Sequence, residues 1–379
     1  MNLAQRTLKL KQAFEFGKNT LIEDSRVEIS FFQFDQIFGR KEIQTTQEWL
    51  RVPDFCSSSD DGIPENEHFW YPVFHQKNFR SRECILLLHG LNERSWEKYL
   101  CWAEYLTVHT GKPVLLFPIA FHMNRSPSFW TDPRWVMPWL RKKKEKEDSP
   151  TLTFANFALS DRLIRQPFRF YVSGKETILN LCQLGREIRT GKHPFFEKDT
   201  RFDIFAYSIG ALLSEVLLQA DVKNLFSESR LFMFCGGALF NEMNGDSRMI
   251  MDRNTFRAMK DYYQHGFIQR CDQSGEADRL ERSFTTMIDV SVGKKEREAF
   301  FLRSRDRIRV ISLKKDLVMT TPGIINALGP ECAEKCLKEM DFDYEYSHEI
   351  PFPSGAKTDE SLVTQAFEQI FISAASFLH

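Results

Sequence analysis

The apolar residues of this chain fall into two kinds of segment, which alternate along much of its length. Continuous apolar runs are typical of strands buried on both faces of a parallel sheet, and apolar residues at helical spacing are typical of amphipathic helices. The continuous runs predict strands at residues 84–90, 113–121, 202–205, 230–240 and 309–313. Helical patterns separate these runs, which favours right-handed βαβ units and therefore a parallel sheet.

Helix boundaries are indicated by residues that can hydrogen-bond the free ends of a helix. Ser95 predicts the start of a helix after the first strong apolar run, and Gly111 predicts its end. Ser173 and Glu176 have the spacing of a capping box, which predicts a helix over residues 175–189. Near the C-terminus the pattern predicts a short helix at Thr321-Pro322, a short strand within residues 341–349 and a final helix.

The first 82 residues do not share this alternation. A helical start is followed by predicted strands at residues 26–35 and 68–75, with a polar loop at residues 56–62 between them. These strands either edge the main sheet or form a small separate subdomain, and both interpretations are open. We predict that residues 1–82 form an N-terminal extension with leading edge strands, and that residues 83–379 form the main domain.

Two excursions interrupt the main domain, at about residues 122–172 and 241–305. The first contains many aromatic residues, among them Phe129, Trp130 and Trp135. Aromatic residues in such an insertion either pack a core or line a pocket for an apolar ligand group. The sequence leaves both roles open, and we take a substrate pocket lined by these three residues as the hypothesis to test.

The composition narrows the class of protein. Of 379 residues, 42% are hydrophobic and 13% aromatic, which is enough to bury a large core. The formal net charge is −1, so nothing favours binding to nucleic acid, and no apolar run is long enough to span a bilayer. The eight cysteines have no disulfide-like spacing, which predicts reduced thiols and a cytoplasmic location.

The sequence contains no pattern that calls for a metal ion or a cofactor. Cys332 and Cys336 are spaced to share a helix face, but a zinc site needs further ligands at matching spacing. No Walker or dinucleotide-binding glycine pattern is found. Cys235 lies in an apolar run, which favours a buried structural thiol over a nucleophile. We therefore expect neither a metal nor a cofactor.

One stretch, residues 201–220, carries a pattern with chemical meaning. A predicted strand passes through Ala206, Tyr207, Ser208, Ile209 and Gly210 directly into a helical pattern, so that Ser208 lies on the turn. Such a turn exposes the serine hydroxyl at the sheet edge and directs the first free amides of the helix toward a developing oxyanion. The alternative is a buried strand followed by an ordinary helix that Ser208 caps.

The pentapeptide Ala-Tyr-Ser-Ile-Gly resembles the nucleophile elbow G-x-S-x-G of the α/β-hydrolase superfamily, with Ala206 in place of the first glycine. The resemblance implies the fold class, an α/β-hydrolase fold with a mostly parallel central sheet flanked by helices and with lid or cap insertions. It also implies an acid and a histidine later in the chain. Asp316 follows a predicted strand, and His348 precedes the final helix, so both are at matching positions.

The resemblance gives these residues their roles. Ser208 is the implied nucleophile, His348 the base and Asp316 the acid that orients the imidazole. The backbone amides of Leu91 and Ile209 are the implied oxyanion hole, because a His-Gly pair follows the first strand of the main domain as in the oxyanion loop of the superfamily.

Three other histidines lie outside this implied set. His89 is expected to be a structural residue at a strand end, because a strand-end histidine beside the implied oxyanion loop is more often packed than catalytic. His122 and His265 are the alternative bases if His348 lies away from Ser208.

Two classes of function are consistent with this pattern. The first is a serine hydrolase, esterase-like or lipase-like, that cleaves a carboxylic ester, thioester or amide through an acyl-enzyme. The second is a catalytically silent protein of the same fold that binds a small molecule or a partner. We expect a small-molecule substrate with an apolar group, and the sequence does not indicate an oligomeric state.

Overall fold

The computed structural model describes residues 2–39, 60, 62–77, 82–269, 278–355 and 358–379. The strands in this part of the chain are β1 (Thr20–Ile22), β2 (Val27–Asp35), β3 (His68–Gln76), β4 (Glu83–Leu88), β5 (Val114–Leu116), β6 (Arg201–Tyr207), β7 (Leu231–Phe234), β8 (Ile308–Leu313) and β9 (Leu337–Met340). They form one sheet in the order β1-β2-β3-β5-β4-β6-β7-β8-β9. Strands β4 to β9 run parallel to one another. Strands β1, β2 and β3 pair antiparallel and form one edge of the sheet.

Helices cover both faces of this sheet. The α-helices with described bounds are α1 (Leu3–Ala13), α2 (Pro64–Glu67), α3 (Glu97–Thr110), α4 (Pro133–Lys146), α5 (Phe157–Arg165), α6 (Arg169–Arg189), α7 (Ile209–Ala220), α8 (Arg253–Asp261), α9 (Arg279–Thr286), α10 (Lys294–Ser304), α11 (Thr321–Leu328), α12 (Pro330–Cys336) and α13 (Glu360–Leu378). Short 3₁₀ turns lie at Met123–Arg125, Ser128–Trp130, Val222–Asn224, Phe240–Glu242 and Arg305–Arg307, and a π-helix at Tyr262–Phe267.

The sheet separates two hydrophobic layers. Leu86 of β4 packs in the layer that contains residues of α6 and α7, and its neighbour Leu87 packs in the layer that contains residues of α3 and α13. Because successive side chains of a strand point to opposite faces, a strand covered on both sides is apolar at every position. This explains the continuous apolar runs, and the predicted α/β-hydrolase fold class is confirmed.

Two predicted strands extend at least five residues beyond the strands in the structure. Strand β5 ends at Leu116, because Pro118 has no N–H group to donate to a neighbouring strand. Strand β7 ends at Phe234, because Cys235 has a φ of 48°, which breaks the extended backbone. Residues beyond both strands stay buried, Ala120 for example, so the apolar runs report burial rather than strand length.

Two other predicted boundaries were wrong. Helix α6 begins at Arg169, so Ser173 lies inside it, and its hydroxyl donates to the carbonyl oxygen of Ala120 at 2.9 Å instead of capping the helix. The strand predicted within residues 341–349 is replaced by β9, which ends at Met340. The alternating aromatic residues that suggested it belong to an irregular loop in which the rings of Phe342 and Tyr344 stack at 5.5 Å.

The first part of the chain adds strands to the same sheet. The predicted strands at residues 26–35 and 68–75 correspond to β2 and β3, which pair along their whole length. The polar loop predicted at residues 56–62 lies mostly outside the described residues. The domain boundary near residue 82 and the limits of the two excursions stay predictions. None of the helices in the described ranges is both long and apolar enough to cross a membrane.

Candidate active site

Ser208 lies on a strained turn between β6 and α7. Its φ of 56° and ψ of −123° are outside the regions that residues other than glycine usually occupy. Neighbouring segments pack closely against the turn: a Cβ at Gly210 would lie 2.7 Å from the carbonyl oxygen of Leu88, and a Cβ at Gly236 would lie 2.5 Å from the Cβ of Ala211. These contacts come from the loops of the strands on either side of β6, so they fix the position of Ser208.

Ser208, His348 and Asp316 form one hydrogen-bonded chain. The Ser208 hydroxyl oxygen lies 2.7 Å from Nε2 of His348, and Nδ1 of the same ring lies 2.7 Å from Oδ2 of Asp316. Each residue is only 3% exposed. Because a carboxylate accepts hydrogen bonds, Nδ1 carries the ring proton and Nε2 accepts from the serine hydroxyl. A serine in this arrangement can lose its proton to the imidazole as it attacks.

Backbone amides hold the carboxylate of Asp316 in position. Its Oδ1 accepts from the N–H groups of Val318 at 2.8 Å and Met319 at 2.9 Å. Burial, together with the negative charge of Asp316, raises the pKa of the Cys235 thiol well above its usual range. Cys235 is thus a buried, protonated neighbour of the acid, in agreement with the sequence-based expectation.

Tyr207 holds His348 from the side of the sheet. Its hydroxyl donates to the carbonyl oxygen of His348, and its ring stacks on the imidazole with the ring centres 5.6 Å apart and the planes 14° from parallel. Burial raises the pKa of Tyr207 well above its usual range, so the hydroxyl stays a donor. Sequence analysis assigned no role to Tyr207, because its partner is 141 residues away in the chain.

The loop after β4 approaches the serine closely at Gly90. A Cβ at Gly90 would lie 3.2 Å from the ring of Tyr207 and 3.4 Å from Cβ of Ser208. Next to this contact are the backbone N–H groups of Leu91 and Ile209, to which no carbonyl or side chain among the described residues is hydrogen-bonded. Two amides without acceptors, one on the residue after Ser208 and one on the residue after the Gly90 that contacts it, are suited to bind an oxyanion.

His89, which follows β4, and Tyr99 of α3 anchor this loop. Nδ1 of His89 donates to the carbonyl oxygen of Gly90 at 2.8 Å, and its Nε2 accepts from the N–H of Ile119 at 2.9 Å. Burial lowers the pKa of His89 well below its usual range, so the ring is neutral and structural, as expected. The N–H of Gly90 itself donates to the hydroxyl of Tyr99 at 3.0 Å.

Asn92 anchors the same loop from above. Its Nδ2 donates to the carbonyl oxygen of Ala155 at 2.9 Å and to that of Met249 at 2.7 Å. Ala155 belongs to the first predicted excursion and Met249 to the second. Both excursions therefore meet over the loop that carries Leu91.

An apolar cavity opens beside the serine. It has an empty volume of about 560 Å³, its mouth included, and one wall is a face of α7 formed by Ile209, Leu212, Leu213 and Val216. Leu91 completes the lining at the end near Ser208. The cavity therefore begins at the two free amides and extends along the helix that follows the serine.

The three aromatic residues predicted to line the substrate pocket lie elsewhere in the first excursion. Trp130 is 4% exposed and packs in a separate hydrophobic cluster, with Phe129 against it, and Trp135 is 59% exposed. The part of this excursion that does line the cavity includes His122 and Phe170. A pocket role for Phe129, Trp130 and Trp135 stays a prediction.

The remaining candidate residues are not part of the hydrogen-bonded chain. His265 is exposed in the π-helix, and His122 is hydrogen-bonded to a backbone carbonyl rather than to Ser208. The sulfur atoms of Cys332 and Cys336 lie 3.6 Å apart on α12. In the described ranges, no group of three or more His, Cys, Asp or Glu side chains is arranged to hold a metal ion.

Comparison with known protein families gives a match over the full chain. Residues 1–379 match the family described as "Family of unknown function (DUF6051)". No curated protein matches.

Solved structures that are similar to this chain include three of low identity. A cold-adapted esterase from an Arctic intertidal metagenomic library is 10% identical over 96% of this chain and 96% of its own, with a TM-score of 0.41. Carboxyl esterase 2 from the mycorrhizal fungus Tuber melanosporum is 9% identical over 83% and 84%, with a TM-score of 0.41. Vibralactone cyclase is 11% identical over 98% and 85%, with a TM-score of 0.45. The fold assignment rests on the strand order of this chain itself.

Proposed function

This chain belongs to the DUF6051 family of unknown function, and we propose that it is a serine hydrolase, esterase-like, that cleaves a carboxylic ester. The observation that carries the proposal is the hydrogen-bonded chain from Ser208 through His348 to Asp316, with 2.7 Å at both contacts. The strained turn at Ser208 supports it, because backbone strain concentrates at functional sites.

The proposed reaction starts when the Ser208 oxygen attacks the ester carbonyl carbon while Nε2 of His348 takes the hydroxyl proton. Asp316 stabilises the charged imidazole, and the N–H groups of Leu91 and Ile209 donate to the carbonyl oxygen as it becomes an oxyanion. The C–O bond to the alcohol then breaks and His348 protonates the leaving oxygen, which leaves an acyl group on Ser208. In the second step His348 takes a proton from water, which attacks the acyl carbon. The bond between the acyl group and the Ser208 oxygen then breaks, His348 returns the proton to that oxygen, and the acid leaves. Thioesters and amides can react by the same steps.

The cavity beside the serine indicates the kind of substrate. Its wall on α7 is formed by aliphatic side chains, and apolar surface removed from water contributes about 25 cal/mol per Å². We propose that the cavity holds an apolar acyl or alcohol group of a small-molecule ester.

The test is active-site labelling with a fluorophosphonate probe, followed by hydrolysis of a panel of p-nitrophenyl esters. Ser208→Ala is expected to abolish labelling and to lower kcat by a factor on the order of 10⁶, as loss of a triad nucleophile does. Ser214→Ala is the matched control. Ser214 is buried on α7, the helix that follows Ser208, and its hydroxyl donates to the carbonyl oxygen of Gly210. Labelling of wild type and of Ser208→Ala alike would contradict the assignment, and a folded wild type that is neither labelled nor active would favour the silent binding protein.

A further inference from the structure

His122 stands out among the residues that line the apolar cavity. It is 6% exposed, and its Nε2 is buried without a hydrogen-bond partner among the described residues. His122 lies just past the carboxyl end of β5, whereas Ser208 follows β6, so both are at the same edge of the sheet. The proposed triad does not use this ring.

The hydrogen bonds of His122 fix its tautomer. Its Nδ1 lies 2.9 Å from the carbonyl oxygen of Ala120, and a carbonyl oxygen can only accept. The proton is therefore on Nδ1, and Nε2 presents a lone pair. The hydroxyl of Ser173 donates to the same carbonyl oxygen at 2.9 Å and keeps it in place. The ring is an acceptor held in one orientation.

The ring also stays neutral. Burial lowers the pKa of His122 to about 4, and the nearby charges of Arg162, Arg125 and Arg94 act in the same direction. These positive charges disfavour a cationic ligand group next to the ring. The ammonium group of Lys175, which also lines the cavity, is paired with Asp278 at 2.7 Å. A ligand group that satisfies His122 is therefore a neutral hydrogen-bond donor.

A buried acceptor without a donor is costly, and most buried polar atoms are hydrogen-bonded. We propose that Nε2 of His122 accepts a hydrogen bond from a neutral donor, a hydroxyl or an amide N–H, on the otherwise apolar group of the substrate. This inference rests on the proposed function, and it makes His122 a specificity-determining residue. The preferred esters are then those whose apolar part carries one such donor.

The experiment compares ethyl esters that differ by a single donor. Ethyl octanoate is the reference, one series carries a hydroxyl at successive carbons, and a second series has an amide N–H in place of successive methylene groups. Acid release is followed in a pH-stat, and the measured quantity is kcat/KM of each ester relative to the reference. A site built for a donor rejects the analogue without it, so we expect wild type to prefer at least one donor-bearing ester by a factor of about 10 or more.

Two variants assign this preference to His122. His122→Phe removes the acceptor and keeps a planar ring, so the preference is expected to fall to about 1 or below, as the donor then loses its partner. His122→Gln restores an acceptor oxygen and is expected to recover part of the preference. Thermal unfolding reports whether each variant folds. If His122→Phe does not fold, the relative kcat/KM values of wild type and of His122→Gln decide whether His122 accepts the hydrogen bond.

Two results overturn the inference: no donor-bearing ester is preferred by wild type, or His122→Phe keeps the wild-type preference. Calorimetric binding of the preferred ester and its reference to Ser208→Ala separates this failure from failure of the proposed function. Wild-type hydrolysis without a donor preference contradicts the role of His122 alone. Tighter binding of the donor-bearing ester without any hydrolysis supports His122 and contradicts the hydrolase.

Discussion

The carboxylate of Asp316 accepts hydrogen bonds from two backbone amides and from the imidazole of His348. All of these partners are donors, and an ionised carboxylate has only acceptors to offer. The site therefore selects a carboxylate and leaves it a single orientation, with one oxygen aimed at Nδ1 of His348. That orientation keeps Nε2 of the ring as the acceptor for the hydroxyl of Ser208.

Asp316→Asn tests this selection. An amide has one acceptor oxygen, which we expect to face the two backbone N–H groups. Its NH₂ group then faces Nδ1 of His348, which must accept, so the ring changes to the other tautomer. We expect kcat on a p-nitrophenyl ester to fall by a factor of about 10⁴, and to fall further in His348→Ala, because triad residues act as a unit. Asp132→Asn at an exposed helix cap is the control. Activity of Asp316→Asn above a tenth of wild type would contradict the role.

Single residues were predictable where the chain itself carries the signal. Ser208 is identified by the small residues and the change of period around it, and the order of Asp316 and His348 completes the pattern. Tyr207 and His122 were not assigned their contacts, because these depend on which backbone carbonyl lies next to each side chain in the folded protein. A sequence pattern does not contain that information.

At the scale of elements, helix α7 has two roles. Its first N–H group, on Ile209, has no acceptor among the described residues, and one of its faces forms a wall of the cavity. If the cavity holds a substrate group, as proposed, the distance along this face sets how deep that group reaches. Val216 lies about two turns further along the helix than Ile209, which corresponds to roughly 10 Å.

Val216→Phe is expected to shorten the cavity from its far end. Long acyl chains then no longer fit in the cavity, whereas short chains bind near Ile209 as before. We expect kcat/KM for p-nitrophenyl decanoate relative to the acetate to fall by about tenfold or more, since one or two displaced methylene groups cost about 0.8 kcal/mol each and overpacking adds to this. Val222→Phe, outside this cavity lining, is the control. An unchanged chain-length profile in a folded Val216→Phe protein would show that the cavity does not hold the acyl group.

The sequence predicted the existence of these elements better than their ends. The parallel strands were identified because burial on both faces makes them apolar throughout. Strand β5 was predicted too long, since residues such as Ala120 are buried in a connection without being in a strand. The start of α6 was misplaced, because the hydroxyl of Ser173 has a tertiary partner that no local pattern reveals.

At the scale of the whole molecule, the two excursions join over the edge of the sheet that carries Ser208. The hydroxyl of Thr151 donates to Asp246 at 2.6 Å, and Nδ2 of Asn156 donates to the carbonyl oxygen of Ser247 at 2.9 Å. Ser247 in turn donates to Glu349, the residue after His348. Segments far apart in the chain are thus hydrogen-bonded to one another and to the residue next to His348. The short segments that make these contacts have no periodic pattern, which is why the sequence predicted the excursions but not their contacts.

Buried histidines also link the stability of the whole molecule to pH. Burial lowers the pKa of His122 and of His193 to about 4, and that of His89 well below its usual range. In the unfolded chain these rings have a pKa of about 6.5. Between the two values the unfolded state binds more protons, so stability is fully present above pH 6.5 and is lost as the pH falls toward 4. We expect each ring with a folded pKa of about 4 to cost about 2 kcal/mol of unfolding free energy between pH 6.5 and 5.

His193 allows this pH dependence to be tested at one residue. Its Nδ1 accepts from the N–H groups of Phe195 at 3.1 Å and Phe196 at 3.2 Å, so a proton on Nδ1 would face two donors. Urea unfolding is measured at intervals from pH 8 to pH 5. His193→Gln is expected to be less stable at pH 8, because it disturbs the contact with the hydroxyl of Tyr71, but to lose less stability on acidification. His265→Gln, at an exposed histidine, is expected to follow the wild-type curve. A wild-type protein whose unfolding free energy is constant or rises from pH 6.5 to pH 5 would show that these rings are not held neutral by the fold.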